Sequence, residues 1–397
     1  MLMGWIGFFL SMLILLVLSQ KNLGIAMFTG AIVLGIFFAP ESLPSKIWES
    51  ITDPRTIFLA GVVSLIPIIG GILNETGQMD RLINNMQVGR KLFLMLSPAL
   101  IGLLPMPGGA LLSAPLIDKA GADIPYEKKA GINIWFRHVL YLIYPLSADL
   151  IVSTAAAGIK LYQPIPILSL ILLFSLVLGY FFFLGGKLEK MNYEKKFSLR
   201  ELLPPLTVLL AAPIIDLVLK EISILPIGEI ATFIAVLISL MFAILIGKLN
   251  LMRLYRIVIG AKPWDFAFMM VGIMVFLGVF KGLGVFDLFM NVFITPDMLF
   301  GIAFLLGFVT GRIVTPAGII FPIYLMKFGQ VSLPVFALIY FGIFLGYVIT
   351  PVHPCVSLTL ASFKVDLKSY LKIMIRPVCI AMFASLLILH LITSISL

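Results

Sequence analysis

The chain has 397 residues, of which 61% are hydrophobic and 12% charged, with a formal net charge of +9. A soluble domain carries about 25% charged residues, so a soluble enzyme or binding module is excluded. The basic residues sit in short loops between apolar runs, which argues against a nucleic-acid partner, and two cysteines and three histidines without CxxC, HExxH or Cys/His metal spacing offer neither a disulfide framework nor a zinc peptidase.

About 20 apolar residues cross a bilayer as a helix. The first such stretch, 3–20, is apolar from Met1 and has no positive leading region, so it reads as a retained helix rather than a cleaved signal peptide. Helices at 22–40 and 56–75 follow. GQMDRLINNM then supplies a polar helix end whose Asp80 and Asn84 are expected to cap or join helices. Segment 92–120 is too long for one helix and contains Pro-Met-Pro-Gly-Gly at 105–109; it reads as a helical hairpin that enters and leaves the membrane on the same side. A helix at 131–158 is interrupted at Tyr144-Pro145-Leu146-Ser147, and a helix at 164–186 leads into a basic linker, 187–200. Helices at 201–219, 227–247 and 264–282 come next, then GVFDLFMNVF and a second hairpin, 298–328, broken across Gly311–Gly318. A helix at 334–362 is interrupted at Thr350-Pro351-Val352-His353-Pro354, and the last helix is expected at 373–394.

The same landmarks therefore occur twice. Gly77 and Gly284, Asp80 and Asp287, Asn84 and Asn291, and Pro115 and Pro322 are each 207 residues apart, and Tyr144-Pro145 and Thr350-Pro351 are 206 apart. Each copy holds five spanning helices and one hairpin, and an odd number of spans turns the second copy upside down. The expected fold is an all-α polytopic membrane protein of about ten transmembrane helices plus two re-entrant hairpins. They form two inverted-topology repeats, 1–186 and 201–397, joined by the cytoplasmic linker 187–200. Lys/Arg bias orients it: loops placed in the cytoplasm hold 20 of the 28 basic residues, outer segments hold six, and both termini fall outside. The loop bias points to the inner or plasma membrane.

A duplicated unit broken at matching places points to a transporter with its site at the midplane. Half-helices that restart after a break aim free N–H groups at an anion, and unwound carbonyls there suit Na⁺. Gly108, Gly109 and Gly318 let a ligand approach the backbone, and Pro107 sits in the first tip. Arg312, before the second tip, needs a carboxylate, a carbonyl cage or a substrate; a clamp on an oxyanion and an ion pair to Asp149 are both open. Asp149 admits three roles: binding Na⁺, carrying a proton, or pairing with Arg312 or Arg137. His353 is a candidate proton-linked ligand. Ser113, Ser147, Thr315, Thr350 and Ser357 offer hydroxyls near the breaks, with Ser113 and Ser357 assigned with Pro107 and Asp149 to the coupling ion. Arg137 and His138 are expected nearer the cytoplasmic end, where both either snorkel or play structural parts.

MPGGALLSAPLID (106–118) and GYVITPVHPCVSLTL (346–360) resemble the ion transporter superfamily, which includes gluconate, citrate, dicarboxylate and arsenite permeases. The resemblance covers nearly the whole chain in architecture. It implies a sodium- or proton-coupled carrier of organic anions that works as a homodimer by an elevator motion, helices 3–75 and 201–282 forming the scaffold. Better-known branches carry paired Ser-Asn-Thr motifs at the hairpin tips, where this chain has Pro-Met-Pro-Gly-Gly and Thr-Pro-Ala-Gly, so the resemblance names no substrate. The expected function is secondary active transport of a small organic anion. Partners are the anion, Na⁺ or H⁺, and membrane lipids, with no resident cofactor and no enzymatic role. The alternatives are a carrier of an anionic lipid head group and a passive anion channel.

Overall fold

Long apolar runs of good helix formers make helices here, and prolines and glycines decide where they stop. The computed structural model describes residues 2–103, 109–186, 197–222, 225–282, 285, 288 and 293–395, and all regular structure among them is helical. The first part of the chain runs α1 (Leu2–Ser19), α2 (Leu23–Phe38), α3 (Leu43–Thr52), α4 (Pro54–Glu75), α5 (Gln78–Asn84), α6 (Arg90–Gly102), α7 (Gly109–Ala120), α8 (Tyr126–Val139), α9 (Ala148–Ala157) and α10 (Ile165–Leu184). The second part runs α11 (Leu199–Ile222), α12 (Gly228–Gly247), α13 (Leu251–Ala261), α14 (Pro263–Gly282), α15 (Pro296–Thr310), α16 (Val314–Phe328), α17 (Leu333–Ile349), α18 (Pro354–Phe363) and α19 (Leu367–Ile395). Setting α5 aside, the order repeats among the described residues: a long pair, a short helix, a long helix, two shorter helices, a helix broken into two, and a final long helix.

Among the described residues, seven segments are long and apolar enough to cross a membrane: Pro54–Glu75, Ile165–Leu184, Leu199–Ile222, Gly228–Gly247, Pro263–Gly282, Leu333–Phe363 and Leu367–Ser394. Several carry large apolar side chains on their outer faces, Phe181, Leu245 and Phe383 among them. Such a surface suits hydrocarbon and not water, and the protein is a helical membrane protein.

Boundaries moved in three places. The helix expected at 131–158 starts at Tyr126, stops at Val139 and resumes at Ala148. The last helix starts at Leu367, because Asp366 caps it by accepting hydrogen bonds from the Ser369 amide and hydroxyl. The short helices α3, α5 and α13 were not expected. Their apolar residues recur every three to four positions (Leu43, Ile47, Ile51; Leu254, Ile257, Ala261) but are interleaved with charges, so no long apolar run betrays them. Asp80 and Asn84 lie exposed on α5 and join nothing. The join is made by their neighbour Asn85, which accepts from the Ser198 amide and donates to Glu201, each at 3.0 Å, tying α5 to α11. Gly284, Asp287 and Asn291 lie outside the described residues.

Two groups of helices result. The first is built from α1, α2, α4, α11, α12 and α14, packed as α1 on α2, α11 on α12, and α14 against both α2 and α4. In the second, α6 packs on α8 and α15 on α17, while the return arms cross over: α7 packs on α18 and α16 on α9. Glycine brings the paired helices to backbone contact. A Cβ on Gly346 of α17 would stand 2.2 Å from the Phe304 carbonyl oxygen of α15, and one on Gly102 of α6 would stand 1.8 Å from the Arg137 oxygen of α8. Without an aqueous hydrophobic drive, helices in lipid associate through such close contact. Gly346→Ala is therefore expected to destabilise the fold by about 1–3 kcal/mol, seen as a lower unfolding temperature in detergent. Gly301→Ala on the open side of α15, where a Cβ meets nothing within 4 Å, is expected to leave it unchanged.

Candidate functional site

Proline sets the two helix interruptions, because it lacks an N–H and disfavours helix in the residue before it. After α8 and a single 3₁₀ turn (Leu140–Leu142), the chain unwinds through Pro145 and restarts at α9, where the Ser147 hydroxyl accepts from the Leu150 amide at 3.1 Å. After α17 it unwinds through Pro351, where the Thr350 hydroxyl accepts from the Val352 amide at 3.2 Å, and restarts at α18 with His353 as N-cap residue. Carbonyls stranded near each break find tyrosines. The Tyr340 hydroxyl donates to the Tyr141 carbonyl at 3.1 Å, and the Tyr370 hydroxyl to the Val348 carbonyl at 2.7 Å.

The end of α15 is drawn onto the second break. Gly311 ends that helix in the left-handed region, at φ 60°. A Cβ there would also lie 2.9 Å from the His353 amide nitrogen, so only glycine fits. The starts of α9, α16 and α18 thereby meet at one cavity of about 290 Å³. Ser147, Asp149, Arg312, Tyr347 and His353 line its polar side; Leu23, Val63, Ile66, Phe266 and Met269, from α2, α4 and α14, line its apolar side. The cavity thus lies between the two helix groups. Arg312 and Asp149 share it without forming an ion pair within 4.0 Å, and among the described residues none accepts a hydrogen bond from the Arg312 guanidinium. A partly buried cation with free donors, beside three helix starts whose first amides lack helical partners, is an arrangement that stabilises an anion.

Of the residues singled out in sequence, Arg312, Asp149, Ser147 and His353 come together here. Thr350 is buried at the adjoining break, and Ser357 donates to the Pro351 carbonyl at 3.2 Å from an exposed position. Gly318 faces Met27 of α2, and Thr315 is fully buried with no hydrogen-bond partner for its hydroxyl. Ser113 stands apart from the cavity. Its hydroxyl donates to Asn133 at 2.6 Å, and the Asn133 amide donates to Thr359 at 2.8 Å and to the Ala110 carbonyl at 3.2 Å, a buried network joining α7, α8 and α18. Pro107 and Gly108 lie outside the described residues. Gly109 accepts a 2.9 Å hydrogen bond from Arg137 through its carbonyl.

Arg137 does not snorkel. It is 2% exposed, and its guanidinium lies against the start of α7, where a Cβ on Gly109 would fall 2.1 Å from it. The start of α7 is thus given a guanidinium by α8, whereas Arg312 precedes the start of α16 in its own sequence. Sequence reasoning also passed over Asn133, Tyr340, Tyr370 and the partners of His353. The His353 Nε2 lies 3.2 Å from the His138 Nε2, with Cys355 beside them, although 215 residues separate the two histidines. The usable signal was generic: a polar side chain inside a predicted membrane helix needs a partner.

A family model described as "Protein of unknown function (DUF401)" matches residues 5–392. A comparison with curated proteins gives no match.

Two substitutions check the polar framework. Asn133→Ala strands the Ser113 and Thr359 hydroxyls and is expected to cost about 1–3 kcal/mol. Tyr370→Phe strands the Val348 carbonyl and is expected to cost a similar amount. Both are read as shifts in unfolding of the detergent-purified protein; an unshifted Tyr370→Phe would mean that water or a neighbour replaces the hydroxyl.

Proposed function

The chain belongs to the DUF401 family of unknown function, and from that premise we propose that it is a secondary active transporter of a small organic anion, a carboxylate before others. The single observation that carries this reading is the unpartnered Arg312 guanidinium, facing a cavity at which three helix starts converge. The apolar wall of Leu23, Val63, Ile66, Phe266 and Met269 favours an anion with an apolar body over a bare inorganic ion.

Asp149 supplies the logic of coupling. With Asp149 ionised, Arg312 is already offset and a second negative charge in the cavity is opposed. A proton or Na⁺ at Asp149 removes that opposition, so anion and cation enter together; the binding of each raises the affinity for the other. Coupling to Na⁺ or H⁺ is part of the proposal.

The repeated element order and the matched breaks support two inverted repeats with re-entrant hairpins at α6–α7 and α15–α16, ten spanning segments in all and both termini outside. The position of the cavity between two helix groups supports an elevator. In it the group holding the breaks moves against α1, α2, α4, α11, α12 and α14, which also form the homodimer contact. The similarity to the ion transporter superfamily at 106–118 and 346–360 supports the same reading and the inner or plasma membrane as its place.

Thermal unfolding of the purified protein with mono-, di- and tricarboxylates, phosphate and arsenite, each with and without Na⁺ and at two pH values, tests this. A ligand at about 100 times its Kd adds roughly 2.7 kcal/mol to stability. We expect a cation-dependent shift with one carboxylate, absent in a folded Arg312→Gln variant. A shift only with an anionic lipid would move the substrate to a lipid head group, and flux in liposomes that never exceeds the imposed gradient would make the protein a channel.

A further inference from the structure

His138 and Cys355 take no part in lining the anion cavity, and with His353 at its edge they form a cluster of three ligating side chains. His138 closes α8, His353 caps α18, and Cys355 lies in the first turn of α18. Their ligand atoms all lie within 4.8 Å of one another, with the two Nε2 atoms 3.2 Å apart. Metal–nitrogen bonds of about 2.0 Å and metal–sulfur bonds of about 2.3 Å put ligand atoms around one ion roughly 3.3–3.8 Å apart. The imidazoles stand within about 0.1 Å of that range, and rotation of the Cys355 side chain brings in the third ligand.

The second shell fits as well. The His138 Nδ1 lies 2.7 Å from the Ile134 carbonyl. A carbonyl only accepts, so Nδ1 carries the hydrogen and Nε2 presents its lone pair to the cluster. Fixing a ligating histidine through its other nitrogen is the usual support of a metal site. In the empty cluster the His353 Nε2–H donates to His138. T-shaped ring contacts with Tyr141 and Tyr347, at 5.4 and 5.2 Å between centroids, hold the His138 ring in its plane.

We propose that His138, His353 and Cys355 form a soft-metal site that takes one Cu(I) ion. Two imidazoles and a thiolate suit Cu(I) and Zn²⁺, and the surroundings choose between them. Arg137 and Arg312 lie within electrostatic range of His353, and Arg137 within range of Cys355. Cu(I) with one thiolate is neutral, whereas Zn²⁺ with one thiolate leaves a net positive charge facing two guanidinium groups in a low-dielectric interior. Binding replaces the Cys355 S–H by an S–Cu bond and releases that proton, while the His353 hydrogen moves from Nε2 to Nδ1; copper stays Cu(I), and no electron is transferred. The site shares His353 with the cavity but does not depend on the transport reading.

The test is anaerobic titration of the full-length purified protein with Cu(I) held by a chromophoric chelator, with X-ray absorption of the loaded protein. One equivalent of Cu(I) per chain in a shell of two nitrogens and one sulfur is expected. Cys355→Ser and His138→Gln are expected to weaken it at least 100-fold, while Cys379→Ser, at an exposed free thiol, retains it. Unfolding temperature checks that each variant is folded. Absence of stoichiometric Cu(I) binding by the unaltered chain, undiminished binding by a folded Cys355→Ser, or tighter binding of Zn²⁺ than of Cu(I) would each overturn the proposal.

Discussion

Backbone released from a helix inside a membrane protein has to be hydrogen-bonded by the protein itself, and the rest of this structure is arranged around two such releases. At Pro145 and Pro351 the helical ladder is interrupted in buried surroundings. Ser147 and Thr350 take up the freed amides, and Tyr340 and Tyr370 take up carbonyls, each tyrosine reaching in from a neighbouring helix. The tyrosines have to be close to do this, which fixes α17 against the first break and α19 against the second. The left-handed Gly311 then seats the end of α15 on the second break. Among the described residues the Arg312 guanidinium is left without an acceptor beside the helix starts around the cavity, where an incoming ligand supplies the missing partner.

Charge follows the same rule of sparing use. Arg137 is bonded to the Gly109 carbonyl and serves the start of α7, while Arg312, just before the start of α16, keeps its donors unspent. The two return arms have thus drawn their guanidinium from different elements, α8 in one case and the segment leading into α16 in the other. One cation became part of the framework. The other is left to face the cavity with Asp149.

Much of this was legible in the sequence because breakers and apolar runs act locally. Pro145 and Pro351 mark the interruptions, and their spacing of 206 residues exposes the repeat. Arg312, Asp149, Ser147 and His353 could be brought forward because each lies within a few residues of a break. Asn133, Tyr340 and Tyr370 could not, since a polar atom in an apolar helix shows that a partner exists without saying which. The same holds for His138, whose proximity to His353 and Cys355 is produced by packing of α8 on α18. The short amphipathic helices α3 and α13 were hidden for a different reason: charges at every third or fourth position make them look like loops when only continuous apolar length is scored.

The exchange of return arms has a consequence for how such a chain comes into being. Because α7 packs on α18 and α16 on α9, each part of the protein buries an arm in a slot made by the other. Neither part has its own arm available to fill its own slot, so synthesis of the first 186 residues leaves α7 and α9 each facing an absent neighbour. The cavity and the Ser113–Asn133–Thr359 network draw residues from both parts, so they form only when the second part closes on the first.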